Sequence, residues 1–177
     1  MNQSISKRVQ VTLGAITELE VYAIVNAPST LPSSEGSVDG AIHREAGPEL
    51  LYEYKSLGGC SVGEARHTKG YKLRANMIIH TVGPVWMGGN DGEAQLLQSC
   101  YRNSLNLAKD HAIKSIAFPS ISTGAYGYPF VQASTIALDT IVEFVKKTDL
   151  PANIILLCYS QLHFDLMGSM LVQKSKE

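Results

Sequence analysis

Residues 119–129 (PSISTGAYGYP) combine small side chains with a position in the chain that suits anion binding. Ser122, Gly124 and Gly127 leave the neighbouring backbone amides uncovered, and the segment joins an apolar run to a helical pattern. Amides at a helix N-terminus, where the helix dipole is positive, favour a phosphate or pyrophosphate group. We expect Gly124 to allow a close backbone approach and a positive φ. A tight glycine-containing turn without a ligand is an equally weighted alternative.

Asp39 is predicted to lie at or near the N-terminus of a helix, four residues before His43. One interpretation is structural, because an acid in the first turn is favoured by the helix dipole and has His43 as its neighbour. The other is a carboxylate that faces a pocket and orients a water or binds a ribose hydroxyl. Spacing alone favours the structural interpretation. Asn26 lies at the end of a buried strand. Its side chain suits either ligand binding or a hydrogen bond with the backbone of the turn that follows.

The chain lacks the motifs of several common catalytic sites. Residues 119–129 have no Lys-Ser/Thr ending of a Walker A loop, and no GxGxxG sequence occurs. Nucleoside triphosphate hydrolysis and dinucleotide redox chemistry are therefore poorly supported. The five histidines show no ligand spacing such as HExxH, which argues against a metal site. The serines of residues 29–34 have no GxSxG setting, which argues against a serine nucleophile.

Residues 26–37, which precede Asp39, and residues 119–128 both lie where a predicted strand ends and a predicted helix begins. Strands are predicted at residues 8–13, 22–25, 77–81, 116–118 and 154–158, and in a hairpin of residues 64–68 and 71–73. Helices are predicted from a capping box at Thr17, at residues 38–47, after Pro48, at residues 93–110, from Pro129 and at residues 161–173. This alternation predicts a three-layer α/β/α sandwich with a central mixed sheet. Ligands of such sheets bind beyond the C-terminal ends of the strands, which is where residues 26–37 and 119–128 are expected.

Length, charge and cysteine content narrow the class of protein. A chain of 177 residues fits one domain, predicted to span residues 1–177 with a core at about 8–173. A net charge of -1 gives no basic field for nucleic acid and no polybasic run for a membrane surface. Cys60, Cys100 and Cys158 share no short spacing, which suits a reducing compartment. No signal-peptide core or long apolar run is visible, so we expect a cytoplasmic protein.

Three segments of the chain resemble the macrodomain family, in particular its MacroD-like ADP-ribosyl hydrolase branch. They are residues 38–48 (VDGAIHREAGP), residues 80–86 (HTVGPVW) and residues 119–129, and the likeness extends over about residues 9–170. The resemblance implies a cleft for ADP-ribose at the C-terminal ends of the central strands. Members bind free ADP-ribose. MacroD-like members remove ADP-ribose from acidic side chains or deacetylate O-acetyl-ADP-ribose, without a metal or other cofactor.

The resemblance also implies a role for individual residues. Residues 122–126 would surround the diphosphate, residues 36–39 would line the opposite wall, and Asp39 would lie beside the distal ribose and the reactive water. Ile16 would offer its backbone amide to adenine, and Tyr159 would place an aromatic ring beside it. The implied ligand-binding residues are Ala15, Ile16, Asn26, Ser29, Gly36, Val38, Asp39, Ser122, Thr123, Gly124, Ala125, Tyr126 and Tyr159, with Asp39 catalytic.

The chain departs from the family pattern inside this implied cleft. Gly-Asp-Ile-Thr becomes residues 14–17 (GAIT), so Ala15 removes the carboxylate expected to accept from the adenine amino group. Asn-Ala-Ala-Asn becomes residues 26–29 (NAPS), so Ser29 replaces the Asn associated with the distal ribose and catalysis. A run of glycines becomes residues 33–37 (SSEGS), which adds side chains and the charge of Glu35.

Three hypotheses follow from these observations. The chain is an active hydrolase of mono-ADP-ribosyl esters or O-acetyl-ADP-ribose in which Asp39 acts on water. Alternatively, Ala15 and Ser29 mark a non-catalytic module or divergent pseudo-enzyme that binds ADP-ribose or a related nucleotide. A purely structural or protein-interaction domain would bind no nucleotide. The partners expected under the first two hypotheses are ADP-ribose or a related nucleotide and ADP-ribosylated proteins. Nucleic acid is not favoured as a partner.

Overall fold

The computed structural model describes residues 3–29 and 37–177, which form one six-stranded sheet flanked by helices. The strands are β1 (Val9–Leu13), β2 (Ala23–Asn26), β3 (Ala65–Lys69), β4 (Met77–Thr81), β5 (Ser115–Phe118) and β6 (Asn153–Cys158). The helices are α1 (Gln3–Arg8), α2 (Val38–Ala46), α3 (Glu49–Ser56), α4 (Glu93–Asp110), α5 (Phe130–Val145) and α6 (Gln161–Lys174), with a single 3-10 turn at Ile16–Glu18.

The sheet is mixed, with the strand order β1-β6-β5-β2-β4-β3. All neighbouring strands pair in parallel except β3, which pairs with β4 in the antiparallel direction at one edge. The prediction that residues 71–73 form the second strand of a hairpin was wrong. Gly70 donates its amide to the Asn76 carbonyl at 2.9 Å, which closes residues 70–76 into a turn and makes β4 the partner of β3.

Successive residues of the central strands face opposite sides of the sheet and separate two apolar cores. Val25 and Ile79 pack in one core, and Ile24 and Ile78 pack in the other. The first core also contains Ile5, Leu97, Ala137 and Met167 from α1, α4, α5 and α6, and the second contains Ile42 and Leu50 from α2 and α3. Burying one such side chain contributes about 1.5–3 kcal/mol. The predicted three-layer α/β/α sandwich is confirmed.

One local prediction about a helix start was wrong, and another is confirmed. Thr17 does not cap a helix, because the chain makes only a 3-10 turn there and the Thr17 hydroxyl donates to the Glu45 carboxylate at 3.0 Å. Asp39 lies in the first turn of α2, as predicted, and the cap is Ser37, whose hydroxyl accepts from the Gly40 amide at 3.0 Å. The carboxylate of Asp39 is therefore available for contacts other than capping.

Helix α1 was not predicted, because six residues with Ile5 as their one large apolar side chain carry no periodicity. The structure explains its presence through Arg8. The guanidinium of Arg8 donates to the carbonyls of Val145 at 3.0 Å and Pro151 at 2.7 Å, which attaches α1 to the end of α5. Within the described part of the chain, no helix is both long and apolar enough to cross a membrane.

Candidate functional site

A cleft of about 650 Å³ opens at the C-terminal edge of the parallel strands. Its lining comes from chain segments that leave β1, β2, β4, β5 and β6 at that edge: residues 15–17, residues 27–29 with 37–39 and 41, Gly83, residues 119, 120, 122 and 124–126, and Tyr159. The volume lies within the range of about 300–1,000 Å³ that is usual for small-molecule sites. This is the position that the strand pattern predicts for a ligand.

Ten of the thirteen residues predicted for the site line this cleft. They are Ala15, Ile16, Ser29, Val38, Asp39, Ser122, Gly124, Ala125, Tyr126 and Tyr159. Asn26 and Thr123 lie beside it, and their side chains make contacts within the protein. Gly36 lies outside the described residues, together with Ser33, Ser34 and Glu35. The binding and catalytic roles of these residues stay predictions, whereas their assembly around one cleft is a structural finding.

Asp39 faces the cleft from the first turn of α2 with a half-buried carboxylate. The side-chain amide of Asn26 donates to its Oδ1 at 2.9 Å, and Nε2 of His43 lies 3.3 Å from the same oxygen. Burial acts to raise the pKa of Asp39, but the hydrogen bonds from His43 and Asn26 outweigh it, so the pKa is below its usual value. Asp39 is thus a carboxylate that stays ionised while facing an enclosed space.

Asn26 lies beneath the cleft and has no exposed surface. Its Nδ2 atom contacts both Oδ1 of Asp39 and Nδ1 of His80, the latter at 3.3 Å. Its Oδ1 atom is buried and has no hydrogen-bond partner among the described residues. The two alternatives for Asn26 are therefore resolved in part, since the amide group holds Asp39 rather than the backbone of its own turn.

The loop after β5 contributes several small residues to the lining of the cleft, among them Ser122, Gly124 and Ala125. Gly127 donates to the Gly124 carbonyl at 3.0 Å and Tyr128 donates to the Ser122 carbonyl at 2.9 Å, which curls residues 122–128 into a tight turn. No backbone carbonyl of the described chain accepts from the amides of Gly124 or Ala125, and both residues are exposed. This arrangement can bind an anion through backbone N–H groups.

The expected positive φ at Gly124 is wrong, because the turn has its left-handed residues at Ser122 (φ 66°) and Gly127 (φ 71°) instead. A Cβ built on Gly124 meets no atom within 4 Å, so this glycine is not required by packing. The missing side chain at Gly124 therefore leaves space in the cleft and has no role in packing the protein. Thr123, which was predicted to contact the ligand, turns its hydroxyl to the Ser120 side chain at 2.8 Å.

Gly83 lines the cleft but was not among the predicted site residues, although it lies within residues 80–86, which resemble the family. A Cβ at Gly83 would collide with Oγ of Ser122 and would lie 2.8 Å from Cγ2 of Ile121. Glycine therefore lets the chain after β4 approach the loop after β5. The Ser122 hydroxyl lines the cleft, is buried, and has no partner within residues 3–29 and 37–177.

A second feature that the sequence did not reveal is the support beneath Tyr126. Trp86 donates its amide to the Tyr126 carbonyl at 2.9 Å. The following residues fold around the buried carboxylate of Glu93, which accepts from the amides of Met87 at 3.2 Å, Gly89 at 2.6 Å and Asp91 at 2.6 Å. These hydrogen bonds lower the pKa of Glu93 despite its burial. They also hold residues 87–91 in place next to Trp86, which contacts the loop after β5.

The other end of the cleft is formed by Ala15, Ile16 and Tyr159. Ala15 has an extended backbone (φ -110°, ψ 134°) and contributes a methyl group where the family has a carboxylate. Burial raises the pKa of Tyr159 to about 12, against the opposing effect of a hydrogen bond with the Ile16 backbone. The Tyr159 hydroxyl therefore lies against the backbone that was predicted to contact a base.

The described residues contain no group of three or more His, Cys, Asp or Glu side chains placed to hold a metal ion. The chain thus combines an α/β sandwich with a cleft that contains the ionised carboxylate of Asp39 and the loop after β5, whose composition suits an anion. Proteins with this fold and site form the class of macrodomains, and residues 25–137 match the Macro domain family. The chain belongs to that family, as its resemblance to macrodomains predicted.

Relatives and solved structures agree with this assignment. The chain is 54% identical over 154 residues to a Macro domain-containing protein of Methanosarcina mazei, covering 87% of this chain and 82% of that protein. It is 46% identical over 176 residues to an O-acetyl-ADP-ribose deacetylase of Salmonella typhimurium, covering 97% and 98%.

Among solved structures, the Oceanobacillus iheyensis macrodomain with ADP superimposes with a TM-score of 0.87 at 38% identity, covering 99% of this chain and 96% of the other. The Trypanosoma brucei macrodomain in complex with ADP-ribose superimposes with a TM-score of 0.86 at 38% identity, covering 95% and 71%.

Proposed function

We propose that this chain binds ADP-ribose in the cleft and hydrolyses its esters, namely O-acetyl-ADP-ribose or mono-ADP-ribosyl groups on acidic side chains. The observation that carries the proposal is Asp39, which faces the cleft as a carboxylate with a lowered pKa and two hydrogen-bond donors on one oxygen. The names of the Salmonella typhimurium deacetylase and of the ADP-bound and ADP-ribose-bound neighbours support the choice of ligand.

The diphosphate would lie against the loop after β5. The amides of Gly124 and Ala125 donate to no backbone carbonyl within residues 3–29 and 37–177, and helix α5 begins at Phe130 shortly after them. Anionic groups bind at such places because several N–H dipoles converge on them. Adenine would then lie toward Ile16 and Tyr159, and the distal ribose toward Asp39.

Hydrolysis would use the oxygen of Asp39 that Asn26 and His43 leave free. Both donors engage Oδ1, and within residues 3–29 and 37–177 neither of them occupies Oδ2, which would accept a proton from a water molecule. As the water oxygen forms a bond to the ester carbonyl carbon, Asp39 takes its proton, and the carbon–oxygen bond to the ribose then breaks. The proton passes to the departing ribose oxygen, which gives a carboxylic acid and free ADP-ribose.

A second function is favoured by Ala15 and Ser29, which line the cleft without the carboxylate and amide of the family. A cleft that retains the anion-binding loop but lacks these groups fits a module that binds ADP-ribose, or a related nucleotide, without turning it over. The two proposals share the ligand and differ in the fate of the ester bond. Free ADP-ribose and ADP-ribosylated proteins are the partners under either proposal.

The decisive experiment measures ester cleavage and binding separately. Purified protein is incubated with O-acetyl-ADP-ribose and with a peptide mono-ADP-ribosylated on an acidic residue, alongside the variants Asp39→Ala and Asp110→Ala. Asp110 is an exposed carboxylate at the end of α4, outside the cleft lining, and serves as the matched control. Release in the wild type and in Asp110→Ala, but not in Asp39→Ala, supports the hydrolase. Calorimetric binding of ADP-ribose without release supports the binding module.

A further inference from the structure

A line of buried polar groups runs from Asp39 through the sheet to its antiparallel edge. Asn26 donates to Asp39 at 2.9 Å and lies 3.3 Å from Nδ1 of His80. On the far side of the imidazole, Nε2 of His80 lies 2.9 Å from the Thr68 hydroxyl. His80 has no exposed surface and Thr68 almost none, and neither residue lines the cleft. His80 and Thr68 therefore lie outside the part of the cleft that a ligand would contact.

The proton positions along this line follow from its last member. The Thr68 hydroxyl donates to the Lys69 carbonyl at 3.2 Å, so its oxygen is left to accept from His80. The imidazole must then carry its proton on Nε2 and offer Nδ1 as an acceptor. Burial and then the charge of His43 lower the pKa of His80 to about 4, so the ring stays neutral above that pH.

The tautomer of His80 and the carboxylate of Asp39 both require the same direction of the Asn26 amide. Nδ1 of His80 and Oδ1 of Asp39 are both acceptors, and only the NH2 end of Asn26 can donate to both. The reversed amide would place its oxygen against a lone pair and a carboxylate in a buried setting, which is strongly unfavourable. The observed orientation leaves Oδ1 of Asn26 as the atom without a partner, as the structure shows.

We propose that Thr68 and His80 are positioning residues for ester hydrolysis, because together they fix the Asn26 amide as the donor that holds Asp39. This inference rests on the proposed function. Thr68 is on the edge strand β3, so a residue outside the cleft sets the direction and ionisation of the carboxylate inside it. Asp39 remains the catalytic residue, since it alone of the four would touch the water.

The charged and titratable groups around this line come from several elements. Asp39 is faced by His43 on its own helix, by His80 on β4 and by the Tyr54 hydroxyl on α3. His80 is influenced by Asp39, His43 and His67, and its ring lies 4.7 Å from the ring of Tyr54. Substituting Thr68 changes none of these groups, which makes Thr68 the cleanest position for a test.

The first measurement is the 15N spectrum of the His80 imidazole in the wild type, Thr68→Ser and Thr68→Val. The wild type and Thr68→Ser keep the hydroxyl and are expected to show a protonated Nε2 and an unprotonated Nδ1. Thr68→Val keeps the side-chain volume but removes the acceptor, so the ring is expected to shift toward the Nδ1–H tautomer. A wild-type His80 protonated on Nδ1 would overturn the proposal, and so would identical spectra in all three proteins.

The second measurement is the pH dependence of O-acetyl-ADP-ribose hydrolysis. In Thr68→Val we expect kcat to fall by roughly tenfold or more with little change in KM, because Asp39 loses a hydrogen bond to its charged form. The acid limb of the profile should move to higher pH, and Thr68→Ser should restore both properties. A folded Thr68→Val protein with the wild-type kcat and the wild-type pH profile would show that Thr68 is not a positioning residue. Thr68→Ala provides the same loss of hydroxyl if the valine variant does not fold.

Failure of the proposed function would look different. If the wild type cleaves no ester, the hydrolase proposal fails, and the positioning claim is then tested by the 13C titration of the Asp39 carboxyl. The pKa of Asp39 should be higher in Thr68→Val than in the wild type, and unchanged in Thr68→Ser. An Asp39 titration that is the same in all three proteins would overturn the positioning claim independently of activity.

Discussion

Asn26 and Asp39 are joined by a hydrogen bond of 2.9 Å that connects the end of β2 to the first turn of α2. The bond fixes a carboxylate at the edge of the cleft with a donor that is itself buried. Replacing Asn26 with Leu keeps a similar volume and removes the donor. We expect the pKa of Asp39 to rise and ester hydrolysis to fall, because burial is then opposed only by the hydrogen bond and charge of His43 and by the smaller effect of His80.

The same bond makes a prediction about acid stability. Because the pKa of folded Asp39 is lowered, its contribution to stability is complete above its unfolded value of about 3.9 and is lost as the pH falls through the folded value. Asn26→Leu should reduce the difference in thermal unfolding temperature between pH 6 and pH 3. A variant whose temperature difference equals that of the wild type would show that the bond does not stabilise the ionised form.

Gly83→Ala is expected to destabilise the fold and weaken ADP-ribose binding together. The added methyl group collides with the Ser122 side chain and lies 2.8 Å from Ile121, so the loop after β5 must shift. Overpacking of this kind costs about 1–3 kcal/mol in the free energy of unfolding. Urea unfolding and calorimetry measure the two effects. Gly168→Ala is the control, since a Cβ there meets no atom within 4 Å and alanine suits a helix interior.

Gly124→Val is expected to weaken ligand binding without changing the stability of the fold. A Cβ at this position meets no atom within 4 Å and the backbone is not in the positive-φ region, so the free energy of unfolding should change by no more than about 0.5 kcal/mol. The branched side chain would project beside the exposed amides and obstruct an anion. Calorimetry should therefore show a loss of ADP-ribose affinity, and undiminished affinity would mean that the diphosphate lies elsewhere.

How much of the fold could be predicted from the sequence depends on how long each hydrophobic pattern is. Apolar periodicity located α4 at residues 93–110, because an 18-residue helix repeats its pattern many times. The short run at residues 71–73 alternates like a strand, yet Leu73 is buried by a turn rather than by a ladder. Short segments carry too little pattern to separate these cases.

The candidate site could also be predicted only in part from the sequence. The loops were predictable from their small residues and from their resemblance to a known family, whereas the contacts of Asp39 with Asn26 and of Thr68 with His80 cross between elements. Pairings of this kind depend on the register of β2, β3 and β4 and on the start of α2. Glu93 was also hidden, because its partners are backbone amides and carry no sequence signal.

Glu93→Gln tests the support beneath Tyr126. The amide has only one oxygen for three donors, so the segment from Met87 to Asp91 should loosen and its amide hydrogens should exchange faster. Since the pKa of Glu93 is lowered, the loss of stability relative to the wild type should be largest above about pH 5 and should shrink in acid. Glu143→Gln, on the exposed face of α5, is the control and should leave this exchange unchanged.

Ala15→Asp should strengthen ADP-ribose binding if the cleft retains the family's orientation of the ligand. Ala15 lines the cleft in an extended conformation that aspartate adopts without strain, and its carboxylate could accept from the adenine amino group. A hydrogen bond to a charged group contributes about 1.5–3 kcal/mol, so affinity should rise roughly 10- to 150-fold. Ala15→Asn offers the same shape without the charge and should give a smaller gain.

Ser29→Asn is expected to act on turnover rather than on affinity, because an amide at the distal-ribose end would strengthen its contacts in the transition state. Pro28 lines the cleft beside it, and its fixed φ sets the direction of residue 29. Combining Ser29→Asn with Pro28→Ala should therefore raise kcat for O-acetyl-ADP-ribose above either single change. Equal kcat and KM in all of these variants, together with an Ala15→Asp protein of unchanged affinity, would mean that the cleft is shaped for another nucleotide. The binding-module proposal would then replace the hydrolase.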